Sequence, residues 1–128
     1  ASVLNNEDVY INGDGETSRD FCYIDNAVQS NILAAMTENN DAIDQVYNVA
    51  LNDRTSLNEL YRMIEDKIIQ RIQGLKKKDP IYRDFRPGDV RHSQASVDKA
   101  YKLLEYRPKY KISEGLDEAI DWYINSVK

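Results

Sequence analysis

Two arginines in this sequence, Arg19 and Arg86, stand where a guanidinium can do chemistry, because each lies beside a glycine-bearing turn. Their rigid forks of donors fit the paired oxygens of a phosphate better than a lysine does. Arg19 ends the turn Gly13-Asp14-Gly15-Glu16-Thr17-Ser18 and leads through Asp20-Phe21 into a strand-like run closing at Cys22-Tyr23-Ile24. Two glycines there let backbone approach a ligand closely. Arg86 lies in Tyr82-Arg83-Asp84-Phe85-Arg86-Pro87-Gly88-Asp89-Val90-Arg91-His92-Ser93, which gathers arginines, an aspartate and a serine round a Pro-Gly turn. Such a loop can grip an anion. Each block also has a plainer reading. Asn-Gly and Asp-Gly pairs between apolar runs commonly mark a hairpin or loop. Arg19 can pair with Asp14 or Asp20, and Arg86 with Asp89 across the turn.

Composition excludes several other chemistries. The 128 residues suffice for one domain, which buries about 65% of its unfolded surface. A net charge of -5 and a pI near 4.9 argue against nucleic-acid or acidic-membrane partners. Lys76-Lys77-Lys78 follows Gly74 at the expected end of a helix, where cations complement the helix dipole. One cysteine, Cys22, rules out an internal disulfide or a CxxC site, and reads as a small buried hydrophobe between Phe21 and Tyr23. His92 is the single histidine, which disfavours a His-rich metal site or a Cys-His pair. No apolar run approaches the roughly 18 residues of a membrane span, and no signal-peptide pattern opens the chain. A cytoplasmic parent is expected.

The elements that must position these residues alternate in type. Asp8 to Ile11 and Asp20 to Ile24 read as short strands around the Gly-Asp-Gly loop, and Asn26 to Met36 as a helix opening after Asp25. Gln45 to Val49 reads as a β-branched and aromatic strand. Ser56-Leu57-Asn58-Glu59 has capping-box spacing, and Leu57, Leu60, Tyr61, Ile64, Ile68 and Ile72 make one apolar stripe, so a helix starts there. Pro80 and Ile81 lead into the arginine-rich loop. A helix carrying Val97, Ala100, Tyr101 and Leu104 follows Ser96, with Pro108 to end it. A last amphipathic helix after Ser113 carries Leu116, Ala119, Ile120, Tyr123 and Val127, with Trp122 on its flank. The pattern predicts an α/β fold without repeats or low-complexity segments.

The two arginine blocks, in this order and with this helical pattern between them, resemble the C-terminal half of extended short-chain dehydrogenase/reductases, and especially the epimerases of UDP-N-acetylhexosamines. The likeness runs from about Asp8 to Tyr123. It implies a C-terminal substrate-binding lobe plus strands and a helix that complete an NAD-binding Rossmann sheet, all of 1–128 serving as the UDP-sugar-binding region of a longer 4-epimerase. In that resemblance Arg19 and Arg86 contact the UDP diphosphate and Asp89 accepts from ribose hydroxyls. Ser93 faces the N-acetyl group, and Tyr10 packs beside the uracil or serves as core.

The catalytic parts of that family are expected outside this chain. Glycines 13, 15, 74, 88 and 115 are too dispersed for a dinucleotide loop, and none of the nine tyrosines has a lysine four residues on. With Ala1 in place of an initiator methionine, the chain reads as a C-terminal fragment, inactive alone, whose missing N-terminal domain binds NAD. The resemblance also implies a homodimeric parent. The open alternatives are a UDP-sugar dehydratase or decarboxylase of the same superfamily, and a non-catalytic binding or assembly module whose arginines form a charge network. If the Asp20 to Ile24 and Gln45 to Val49 strands belong to a sheet completed elsewhere, their edges lack a partner in this chain.

Overall fold

Tyr10–Asn12 (β1) and Ile81–Arg83 (β4) run parallel, in the register Tyr10 to Ile81, Ile11 to Tyr82 and Asn12 to Arg83. Parallel pairing requires a long crossover. In this computed structural model, which describes residues 1–126, the chain between them holds Ser18–Arg19 (β2), Ile24–Met36 (α1), a 3-10 turn at Asn40–Ala42, Thr55–Ser56 (β3) and Leu57–Arg71 (α2). Asp98–Leu104 (α3) and Ile112–Ser126 (α4) follow. Val127, placed above on the last apolar stripe, lies outside the described residues. Two compact units result: one of Ala1–Ser18, Thr55–His92 and 116–126, the other of Arg19–Arg54 and Ser93–Gly115.

The first unit is a βαβ arrangement of β1, α2 and β4. Its helix begins where the capping box predicts. Ser56 Oγ accepts from the Glu59 N–H (3.2 Å), and the Glu59 carboxylate accepts from the Ser56 N–H (2.8 Å), so two orphan donors of the first turn are satisfied. Ile11, Tyr61, Ile68 and Ile120 are buried there. Glu65 is buried too, at 1% exposure, and ties α2 to the return strand. Its carboxylate accepts from the Lys78 N–H (2.8 Å), the Tyr61 hydroxyl (2.8 Å) and Arg62 Nη1 (2.9 Å). Ion pairs from Lys67 and Arg71 to Asp117, and from Arg71 to Asp121, join α2 to the latter part of α4.

The second unit packs Ala50, Val97, Ala100 and Tyr106, with Leu33, Tyr47, Val49 and Ala95 against them. Tyr106 is wholly buried and its hydroxyl donates to the Ala50 carbonyl (3.1 Å). Asn26, also wholly buried, is a polar pin. Its amide donates to the Tyr110 carbonyl (2.7 Å), and its oxygen accepts from the N–H groups of Lys109 (2.8 Å) and Tyr110 (3.1 Å).

Several element boundaries differ from the sequence reading, each for a local reason. β1 starts at Tyr10 and runs to Asn12 because that is the stretch facing β4. The strand expected at Asp20 to Ile24 does not form; the short β2 ends before it at Arg19, the Asp20 carboxylate takes the Leu51 N–H (2.9 Å) and the Ala95 N–H (3.3 Å), and Ile24 already belongs to α1. Gln45 to Val49 forms no strand. Its polar partners are side chains: Lys99 Nζ donates to the Val46 carbonyl (3.1 Å), and the Asn48 amide to the Ser96 carbonyl (3.3 Å). α1 opens at Ile24, ahead of Asp25, and α3 closes at Glu105 in a left-handed conformation before Pro108 is reached.

Candidate functional site

Residues 13–18 of the first block and 82–92 of the second meet, within the first unit, at the ends of β1 and β4. The Gly13 N–H donates to the Arg83 carbonyl (2.8 Å), extending the ladder by one residue into the turn. Gly13 has φ +79, and a Cβ there would lie 2.4 Å from the Phe85 ring, so this position requires glycine both for its backbone and for the ring above it. Asp14 then receives both terminal nitrogens of Arg91, at 3.1 and 2.7 Å, together with the Glu16 N–H at 2.9 Å. The Arg91 guanidinium and that N–H hold the Asp14 carboxyl below the usual carboxylate range. Arg91 also faces the Phe85 ring, 5.5 Å from its centroid. Ser18 continues the contact: its N–H donates to the Arg91 carbonyl (2.9 Å), and its hydroxyl lies 2.9 Å from His92 Nδ1.

Helix α2 supports the turn from below through Asn58. Its amide donates to Glu16 (2.8 Å) and to the Asp14 carbonyl (3.2 Å), and its oxygen accepts from the Tyr82 hydroxyl (2.9 Å). The turn and the loop are therefore one hydrogen-bonded piece.

Arg86 occupies a different electrostatic position from its neighbours. Arg91 is paired with a carboxylate, and Arg83 lies 3.5 Å above the centre of the Tyr10 ring. Arg86 has a neutral partner. The hydrogen-bond network sets the Asn12 carboxamide with its oxygen toward Arg86, where it accepts from Nε (2.8 Å) and Nη2 (3.2 Å). Among the described residues no carboxylate pairs with Arg86, so its charge is not cancelled at contact. The pairing with Asp89 considered from sequence does not form. Instead the Asp89 N–H donates to the Arg86 carbonyl (3.2 Å), closing a tight turn in which Gly88 supplies the positive φ (+83) that a turn with proline at its second position uses.

The sequence-derived candidates fall into both units. Tyr10, Arg86 and Asp89 lie in the first, whereas Arg19 and Ser93 belong to the second. Tyr10 is 48% exposed in this chain, with Arg83 on its ring. Arg19 is half-buried and Ser93 exposed. Asp14 joins Arg91, and Asp20 receives two backbone N–H groups. Asn12 and the Asp14–Arg91 pair were not singled out from sequence, because residues 77 positions apart carry no local sign of meeting. Burial pushes the Cys22 thiol up, which does not suit a nucleophile. Among the described residues no three His, Cys, Asp or Glu side chains gather as a metal site, and no helix is long and apolar enough to cross a membrane.

The profile of the GDP-mannose 4,6 dehydratase family matches residues 1–119. This chain belongs to that family. Two solved structures extend the likeness from sequence to fold. A UDP-glucose 4-epimerase from Thermotoga maritima, solved with UDP-glucose, is 31% identical with a TM-score of 0.84, over 99% of this chain and 38% of that one. A UDP-N-acetylglucosamine 4-epimerase from Methanobrevibacter ruminantium, solved with UDP-N-acetylmuramic acid, is 34% identical with a TM-score of 0.83, over 98% of this chain and 37% of that one. A UDP-glucuronate 4-epimerase from Thermodesulfobacterium geofontis is 30% identical over 94% of this chain and 34% of its own length. The family member described here thus spans about two fifths or less of the relatives it matches. Its α/β fold is the one expected of part of an extended short-chain dehydrogenase/reductase.

Proposed function

We propose that residues 1–128 are the UDP-sugar-binding region of a longer NAD-dependent UDP-N-acetylhexosamine 4-epimerase. The observation that carries this reading is Arg86, a guanidinium held at the end of a βαβ unit by a neutral amide, with no carboxylate paired to it among the described residues. A fixed, uncancelled fork is the group that two phosphoryl oxygens require. The structures of 4-epimerases with UDP-sugars that share this fold support that ligand class.

In this reading Arg86 and Arg19 hold the diphosphate, Asp89 accepts from the ribose, Tyr10 lies toward the base and Ser93 faces the substituent at C2 of the sugar. The C2 assignment favours N-acetylated sugars over UDP-glucose. The residues present do not fit NAD, because the glycines at 13, 15, 74, 88 and 115 make no dinucleotide loop, so no step is assigned to the cofactor here. The contribution of this region is to keep the nucleotide handle fixed, so that binding energy far from the reacting carbon supports the reaction there. In this reading the longer protein is cytoplasmic and the 128 residues alone are inactive.

The test is steady-state kinetics of the full-length protein with UDP-N-acetylglucosamine and UDP-glucose. Arg86→Ala should lower kcat/KM for both by roughly ten- to a hundredfold, the loss of one charge-assisted contact. Ser93→Tyr should penalise the N-acetylated substrate more, by filling the space its acetamido group needs. Unchanged kinetics for Arg86→Ala would remove the diphosphate role, and equal losses for Ser93→Tyr would make that residue structural.

A further inference from the structure

We infer that Asn12 is a positioning residue for Arg86, and that its neutrality is what leaves Arg86 able to bind an anion. The inference rests on the proposed diphosphate role of Arg86. Asn12 is fixed before it meets the arginine, since its backbone is the last rung of the parallel pair with Arg83, and the Gly13 N–H just beyond bonds to the Arg83 carbonyl. From that rung its carboxamide oxygen reaches Nε and Nη2, the two donors on one edge of the guanidinium. The adjoining edge, formed by Nη1 and the second hydrogen of Nη2, is the fork that takes two oxygens of a phosphate.

A single neutral acceptor therefore does two things. It sets the plane and direction of the fork, and it leaves the positive charge for the ligand. The contrast lies in the same loop, where the two oxygens of the Asp14 carboxylate take the terminal fork of Arg91, Nη1 and Nη2, and pair its charge. Asp14–Arg91 fastens the loop; Asn12–Arg86 aims it. Residues 12 and 14 thus sort two arginines of one loop into a structural and a ligand-binding member.

The substitution that isolates this property is Asn12→Asp, which keeps size and the accepting oxygen and changes the charge. Binding of UDP to the full-length protein is measured by calorimetry for wild type, Asn12→Asp, Arg86→Ala and the double variant. We expect Asn12→Asp to weaken UDP by about tenfold, with thermal stability unchanged or raised, because the new carboxylate pairs with Arg86 and repels the diphosphate. In the Arg86→Ala background it should weaken UDP by less than twofold, since little beyond the repulsion remains for it to act on. Asn12→Ala should also weaken UDP, through a fork left unaimed, and Asn12→Gln should recover part of the loss. Wild-type affinity in Asn12→Asp, or a loss that simply adds to that of Arg86→Ala, would overturn the inference while leaving the role of Arg86 standing. Wild-type affinity in Arg86→Ala would instead defeat the diphosphate reading, and this inference with it.

Discussion

Gly13 and Gly88 both hold positive φ, yet only one of them lies under a side chain, and that difference predicts different costs. Alanine at Gly88 meets nothing within 4 Å, so its penalty is backbone strain alone, about 1 kcal/mol. Alanine at Gly13 adds a methyl 2.4 Å from the Phe85 ring, beneath which the Arg91 contact is built. Urea unfolding should show Gly13→Ala losing about 2 to 4 kcal/mol, more than Gly88→Ala. Equal losses would mean that the ring moves aside freely. The Glu65 cluster gives a pH prediction at the same scale. Desolvation pushes the Glu65 carboxyl up, but the Lys78 N–H, the Tyr61 hydroxyl and Arg62 outweigh it and hold it below its ordinary 4.5. Burial and the hydrogen bond to Glu65 push Tyr61 from 10.0 up to about 12. A carboxyl depressed on folding stabilises above its unfolded value, and that contribution is lost as pH falls below 4.5. A phenol raised on folding stabilises below pH 10, and that contribution fades between pH 10 and 12. Stability should therefore fall on both sides of a plateau. Glu65→Gln should flatten the acid limb and Tyr61→Phe the alkaline limb, and limbs unchanged in both variants would exclude this cluster as their source.

What was legible in the sequence depended, element by element, on whether the cause is local. The start of α2 was readable because a capping box lies within four residues and the apolar stripe repeats within two turns. The strand expected at Gln45 to Val49 was misread because its β-branched and aromatic composition says only that the segment suits a sheet, whereas a strand exists when another backbone faces it. Side chains of Asn48 and Lys99 bridge the backbone of this region instead. α1 was located but its opening was not, since Tyr23 precedes it without a side-chain cap and Asp25, the polar residue read as the boundary, falls in the first turn. The candidate site was half legible: Arg86 and the Pro-Gly turn are local signals, whereas the Asn12 and Asp14 contacts that divide the arginines arise only when β1 and β4 pair. Another element that depends on such distant bonds is α1, pinned to 109–110 by Asn26. Asn26→Ala leaves the Lys109 and Tyr110 N–H groups and the Tyr110 carbonyl, all part-buried, without that partner, and should cost about 2 to 4 kcal/mol in chemical denaturation. A loss below about 0.5 kcal/mol would show that water replaces the amide at no cost.

At the scale of the molecule, α1 has its sides reversed relative to a surface helix. Asn26 and Ser30 are buried, while Ile24, Val28, Ile32 and Met36, spaced four apart, are 61%, 45%, 52% and 75% exposed. Ile43 and Val46 in the same unit are exposed as well, at 51% and 86%. An apolar stripe of this kind belongs against another surface. Relatives two and a half or more times longer offer the material, and the expectation is that the remaining domain of the proposed longer epimerase covers this stripe. Burying Val28 and Ile32 there would contribute about 1.5 to 3 kcal/mol each. The same two positions should govern two measurements with opposite signs. In the 128-residue chain, Val28→Lys with Ile32→Lys should reduce concentration-dependent association in sedimentation velocity, with helix content by circular dichroism unchanged, because a sticky face becomes a solvated one. In the full-length protein the same pair should lower the unfolding temperature and the yield of folded enzyme, because two charges are forced into a covered interface. A monomeric wild-type fragment together with a full-length variant of unchanged stability would show that the stripe faces water in both, and the covering domain would have to be sought elsewhere on the chain.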